Sequence, residues 1–256
     1  MVEGVETGYE EKFDFPERSA PPALIYTLAS VPRTGSTYAS HLLWQSGCLG
    51  APLEYLNFLP GSPFGFSHNS PEQQRKLWHR VFQRRTSPNG VFGVKCFSQQ
   101  LRGLQQPNPS LLLEVLQTLL PSGRAAKVVR LKRRDRVAHA VSYARAAMSG
   151  VWRKEQEGQS APTIEYSADI VEQASRALDQ QEADWDMLFR ERGAQQILLW
   201  YEDLLDDPRA AIENVAEFLG VVLDPAAAVR VPEIERQSQQ EASRWTELHS
   251  SRSSRS

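Results

Sequence analysis

The sequence predicts an α/β fold: three layers, with a central, mainly parallel sheet flanked by helices. Two observations carry this. Strand-length apolar runs alternate with helix-length periodic segments along most of the chain, the pattern of a parallel sheet with helices on its faces. Near the start, an apolar run passes through a tight basic loop straight into a helix, and that unit sets the character of the whole fold.

The elements follow in order. Residues 23–31 read as a strand rich in Leu, Ile, Tyr and Val, followed by the loop Pro32-Arg33-Thr34-Gly35 and a helix from Ser36 to Trp44. A stretch heavy in Pro, Gly and aromatic residues spans 47–70, and a helix is expected from Pro71 to about Gln83. Residues 90–97 form a second buried strand, and 110–120 a short apolar helix stopped by Pro121. A third strand, 126–131, runs into Lys132-Arg133-Arg134-Asp135. The helix after it carries Val137, Ala140, Val141, Ala144, Met148 and Val151 as a core-facing stripe. Residues 155–160 read as a flexible polar loop, 169–192 as a long helix and 195–201 as a strand. Asp207-Pro208 opens a further helix, with proline in its favoured first position, that ends at Gly220. The expected organisation is a flexible N-terminal segment over 1–20, one domain over 21–248 and a disordered tail over 249–256.

Composition excludes several classes. A 256-residue chain with 41% hydrophobic and 23% charged residues has the make-up of a globular protein with a proper core. A net charge of −2 argues against a general nucleic-acid binder, so basic character must be local. No apolar run approaches the roughly 18 residues of a membrane span, and the acidic first 18 residues lack the apolar stretch of a signal peptide. Cys48 and Cys96 are too few for a disulfide framework or a cysteine metal site. The expected location is the cytoplasm.

The loop after the first strand has the chemistry of an anion cradle. A helix N-terminus presents unpaired N–H groups and about half a positive charge. Gly35 allows close backbone approach, Ser36 and Thr37 add hydroxyls behind it, and Arg33 places a cation ahead of it. The arrangement is P-loop-like without being a Walker A sequence, because Gly35 runs directly into Ser36 with no intervening lysine. An ordinary Ser/Thr helix cap after a strand fits the same residues.

Arg133 stands at the C-terminal end of the third strand, where ligands bind in open α/β sheets. Ser142 and Arg145 lie off the apolar face of the next helix, so an arginine and a hydroxyl there could grip a second phosphate. A solvated arginine-rich turn is the alternative.

Together these segments resemble the sulfotransferases that use 3′-phosphoadenosine 5′-phosphosulfate (PAPS), and more closely the bacterial trehalose 2-sulfotransferase family, which includes enzymes acting on nodulation-type lipochitooligosaccharides. The resemblance rests on Ser30-Val-Pro-Arg-Thr-Gly-Ser-Thr37, Gly47-Cys-Leu-Gly-Ala-Pro-Leu-Glu-Tyr55, Asn89-Gly-Val-Phe-Gly-Val-Lys95, residues 133–152, and Glu235-Arg-Gln through Ser243-Arg-Trp245. It implies that Arg33, Thr34, Gly35, Ser36 and Thr37 bind the 5′-phosphosulfate, that Arg133 and Ser142 bind the 3′-phosphate, and that Arg236 and Trp245 close the nucleotide site. It also implies Glu54 as general base. One departure stands out: the family tends to place an arginine near the position of Glu241, where a carboxylate would repel phosphate.

The chemistry implied is in-line displacement at sulfur, with PAPS as co-substrate, no metal, and a hydroxyl-bearing acceptor such as a carbohydrate. Glu54 would remove the acceptor proton, while Arg33 and Lys95 would offset charge building on the leaving phosphate. Lys95 also fits a structural ion pair, and Glu54 a loop carboxylate or helix-cap partner. Tyr55, Phe58, Phe64 and Phe66 fit either an acceptor pocket or plain core, and the five histidines read as structural or surface residues. A homodimer is compatible with the resemblance. The competing functions are a P-loop kinase or hydrolase, which would want a Walker lysine and a magnesium-binding carboxylate, and a non-catalytic adenosine-phosphate-binding module.

Overall fold

Four strands form one parallel sheet in a computed structural model of the chain: β1 (Leu24–Ser30), β2 (Val91–Phe97), β3 (Lys127–Lys132) and β4 (Gln195–Trp200), in the order β2-β1-β3-β4. The structure describes residues 6–56, 70–105, 108–121, 126–152, 154, 157, 164–234, 237 and 240–253. Within these lie the helices α1 (Ser36–Gln45), α2 (Pro71–Arg85), α3 (Ser98–Gln105), α4 (Pro109–Leu119), α5 (Arg136–Ser149), α6 (Ala168–Arg192), α7 (Tyr201–Asp206), α8 (Pro208–Leu219) and α9 (Gln240–Ser253).

Successive strand residues point to opposite faces, and both faces are apolar, so the sheet needs helices on each side. Ala29, Val31, Phe92, Val94 and Val128 face one layer, where Leu77 and Val81 of α2, Leu111 and Val115 of α4, and Leu178 and Trp185 of α6 pack. Tyr26, Leu28, Val129, Leu131 and Leu199 face the other, against Ala39 and Leu43 of α1 and Val215 and Leu219 of α8. Helix starts follow local chemistry: Ser70, Asn108, Asp135, Ser167 and Asp207 each accept a backbone N–H at an N-cap. Proline opens α2, α4 and α8, where its missing N–H costs nothing.

Strand order places the site. The chain leaves β1 through α1 and α2 to reach β2 on one side, and leaves β3 through α5 and α6 to reach β4 on the other. Between the C-terminal ends of β1 and β3 the connections diverge, which opens the crevice where such sheets bind ligands.

The expected core elements are present, with ends moved by one or two residues. Three expectations differ. The segment 1–20 was expected to be flexible, yet Phe13 and Phe15 are buried in the main core. Arg85, fully buried, donates to the carbonyls of Gly8 and Glu10 and pairs with Asp14 at 2.8 Å, which staples that segment down. The tail expected to be disordered from 249 is instead helical through Ser253, as the end of α9. Helices α3 and α7 form where no helix was expected, α3 directly after β2 and α7 directly after β4.

Candidate active site

Arg33, Gly35, Ser36 and Thr37 line a cavity of about 900 Å³ at the crevice between β1 and β3. Within the 31–37 loop Arg33 has φ 70° and Gly35 has φ 76°, both left-handed. Left-handed residues alternating with others turn successive N–H groups toward one concave side. Left-handed backbone is costly for arginine, so its neighbours must hold it: Thr34 is fully buried and donates its hydroxyl to the Val31 carbonyl at 2.9 Å. Gly35 is required by packing as well as by φ, since a Cβ there would sit 2.4 Å from the Tyr201 ring. Beneath the loop, Trp185 donates to the Ser30 carbonyl at 2.8 Å and His139 donates from Nε2 to the Pro32 carbonyl at 2.8 Å. Burial pushes the His139 imidazole down to about 4, so it is neutral at physiological pH.

The turn after β3 supplies the second group of cations. Arg133 lies over the face of Tyr201 at 5.2 Å, and Tyr201 in turn packs on Gly35. The Glu202 carboxylate accepts from the backbone N–H of Arg134 and of Asp135, which fixes the turn. One turn apart on α5, Ser142 and Arg145 both line the cavity. Arg33 joins the two walls: its Nε donates to Ser142 Oγ at 3.0 Å, Nη1 donates to the Trp152 carbonyl at 2.6 Å, and Nη2 donates to Gln237. Burial, then the like charge of Arg133, pushes the Arg33 guanidinium below its ordinary value. Crowding guanidinium groups this closely is unfavourable unless an anion is meant to sit among them.

On the opposite side Lys95 and Leu53 line the cavity, and Glu54, which is not itself part of the lining, pairs with Lys95. Leu53 forms a parallel bridge to Val94, and its carbonyl accepts from the Lys95 N–H at 3.0 Å. This edge contact delivers Glu54 to the Lys95 side chain. The Lys95 ammonium, nearly fully buried, lies 2.9 Å from Glu54 Oε1 and donates to Thr37 Oγ1 at 3.2 Å. From the stapled N-terminal segment, the Tyr9 hydroxyl accepts from the Glu54 N–H at 3.0 Å and donates to its carbonyl at 3.3 Å. Among the described residues, no three His, Cys, Asp or Glu side chains converge as metal ligands.

The family model described as Stf0 sulphotransferase matches residues 25–251, which takes in every wall of this cavity that follows β1. The chain belongs to that family. It is therefore a sulfotransferase. Trehalose 2-sulfotransferase of Mycobacterium tuberculosis is 26% identical over 254 residues, covering 88% of this chain and 93% of that one. The enzyme of the same name from Mycolicibacterium smegmatis matches with the same identity and coverage. A mouse sulfotransferase solved with PAP is 13% identical, with a TM-score of 0.47 over 93% of this chain and 67% of that one.

In this Stf0 sulphotransferase, Arg33, Gly35, Ser36, Thr37, Lys95, Arg133 and Ser142 all line the cavity. Glu54 reaches it through Lys95, and the Thr34 side chain is turned into the loop. Trp245 differs from expectation: it does not line the cavity but is buried in a cluster with Ala140, Val141 and Val171, edge-on to Tyr166 at 5.5 Å. Its link to the site is indirect, through Arg145, whose guanidinium lies 5.9 Å from the Trp245 ring. Arg236 lies outside the described residues, as do Phe58, Phe64 and Phe66. Tyr55 is core, stacked on Phe92. His41, expected to be structural or superficial, is buried against Pro232 and also lines the cavity. Sequence reasoning missed Tyr9, Trp152 and Gln237. An aromatic run of Tyr9, Phe13 and Phe15 in the first 20 residues was the available signal for the first of these.

No described helix is long and apolar enough to cross a membrane.

Proposed function

We propose that the chain transfers a sulfuryl group from PAPS to a carbohydrate hydroxyl, with Glu54 as general base. The observation that carries this reading is the contact of Lys95 with both Glu54 and Thr37 at the edge of the arginine-lined cavity. One buried cation thereby links the carboxylate on the acceptor side to the helix start on the donor side. The cavity volume of about 900 Å³ lies within the range that holds a nucleotide.

The fit of the residues to PAPS is chemical. The 31–37 loop and the N-terminus of α1 offer N–H groups and hydroxyls to the 5′-phosphosulfate. Arg133 and Ser142 offer a guanidinium and a hydroxyl to the 3′-phosphate. Glu54 takes the proton of the acceptor hydroxyl as its oxygen bonds to sulfur. The bond from sulfur to the 5′-phosphate oxygen breaks, and the electron pair leaves with 3′-phosphoadenosine 5′-phosphate (PAP). Lys95 holds the carboxylate in place and lends positive charge beside the leaving oxygen, a form of stabilisation that needs no reorganisation. The acceptor class follows from the names of the curated relatives, both trehalose 2-sulfotransferases.

Thermal unfolding with added nucleotides tests the donor. PAP without metal should raise Tm while ATP does little, and a preference for magnesium–ATP would refute the reading. Glu54→Gln should keep PAP binding and lose about 10²–10⁴ in turnover. Retained turnover would remove Glu54 as the base.

A further inference from the structure

The cavity contains its own counter-anion. Glu241, at the start of α9, lines the cavity and lies 2.6 Å from the Arg145 guanidinium. Arg145 sits one helical turn beyond Ser142 on α5, so its charge is next to the hydroxyl assigned to the 3′-phosphate. The two partners are held unequally. Arg145 is largely buried and its guanidinium lies near the buried Trp245, whereas the Glu241 side chain is 69% exposed. Arg145 Nε is also buried and donates to no described residue, so the guanidinium retains hydrogen-bonding capacity beyond its carboxylate partner.

An exposed carboxylate on a largely buried arginine is an exchangeable partner. It forms a weak pair, because solvent screens it, and it can swing out without exposing core. A phosphate arriving at Ser142 and Arg133 would compete with it for the same guanidinium. We propose that Glu241 is a built-in competitor of the nucleotide 3′-phosphate: it neutralises Arg145 when the site is empty, yields when the phosphate binds, and so weakens PAP binding and speeds PAP release. The proposal rests on the PAPS reading above and adds a control on that site. It turns the mismatch noted in the sequence, a carboxylate where phosphate must come, into an element that limits product retention.

Calorimetric titration of PAP and of 5′-AMP, which lacks the 3′-phosphate, tests both readings separately. Wild-type protein should bind PAP much more tightly than 5′-AMP; equal affinity would refute the PAPS reading itself. Glu241→Gln should tighten PAP about tenfold, mainly by slower release in stopped-flow displacement, and leave 5′-AMP unchanged. An unchanged or weaker PAP affinity would overturn the competitor role, the latter by showing that Glu241 chiefly orders α9. The double variant Arg145→Gln/Glu241→Gln separates pairing from general charge: the gain from Glu241→Gln should vanish when Arg145 is absent. A tenfold gain that persists without Arg145 would also overturn the proposal.

Discussion

Lys95 and Glu54 are brought to 2.9 Å by a single strand-edge contact, the bridge of Leu53 to Val94 beside β2. Because Lys95 is 3% exposed and Glu54 is 22% exposed, the lysine is the fixed member and the carboxylate the one that can meet a substrate. Lys95→Met keeps the stem and removes the charge. It should lower kcat about 10²-fold or more, on the scale of losing one preorganised electrostatic contact. Combined with Glu54→Gln, the loss should fall well short of the product of the two, since the pair acts as a unit. Steady-state kinetics of the three variants check this.

The Tyr9 hydroxyl holds the backbone of Glu54 at both its N–H and its carbonyl. Tyr9→Phe removes both hydrogen bonds and should cost about 1 kcal/mol of stability. Loosening the base should lower kcat about tenfold, with PAP affinity unchanged. A matching loss of PAP affinity would show that Tyr9 supports the whole fold of the site instead.

Gly35→Ala meets two obstacles at once, a φ of 76° and a Cβ placed 2.4 Å from Tyr201. It should destabilise the protein by about 1–3 kcal/mol and abolish PAP binding. Tyr201→Ala in the same chain should recover part of the stability, because it removes the clash. Denaturant unfolding of the single and double variants measures both effects.

His139 predicts a pH dependence. Its folded value of about 4 lies below the ordinary 6.5, so as pH falls the unfolded chain takes up this proton first. Stability from this group is complete above pH 6.5 and is lost as pH falls toward about 4, by roughly 3 kcal/mol in total. His139→Gln, which retains a donor for the Pro32 carbonyl, should flatten the stability profile in that window. A profile unchanged by the substitution would show that other groups set the acid limit.

The centre of the sheet was legible because β1 and β2 are short, nearly unbroken apolar runs, the signature of burial on both faces. The site was legible where the chemistry is dense and local, as in residues 32–37 and 133–145. Lys95 and Arg133 could be named because strand-end positions put them at the mouth of the sheet, whereas Glu54 was named only through the resemblance of residues 47–55 to the family. What escaped notice depends on contacts between distant, unremarkable segments. Tyr9 sits in an acidic stretch whose docking relies on Arg85, a helix residue whose burial no local pattern announces. Helix α9 is mostly polar, and among its described side chains Trp245 is the one large buried one, so periodicity gave no warning of it. The same tryptophan was expected at the nucleotide through the resemblance of residues 235–245 to a family loop, and a resemblance of sequence does not say what an indole packs against.

The three hydrogen bonds of Arg33 join positions 109, 119 and 204 residues away along the chain. Closing loops of that length costs chain entropy, which the finished contacts must offset. A chain that has formed its sheet but not yet brought Gln237 back to the first loop has the glycine turn without an anchored arginine. Nucleotide binding rewards only the finished molecule, which makes the donor a ligand that distinguishes fully assembled protein from chains still short of their final contacts.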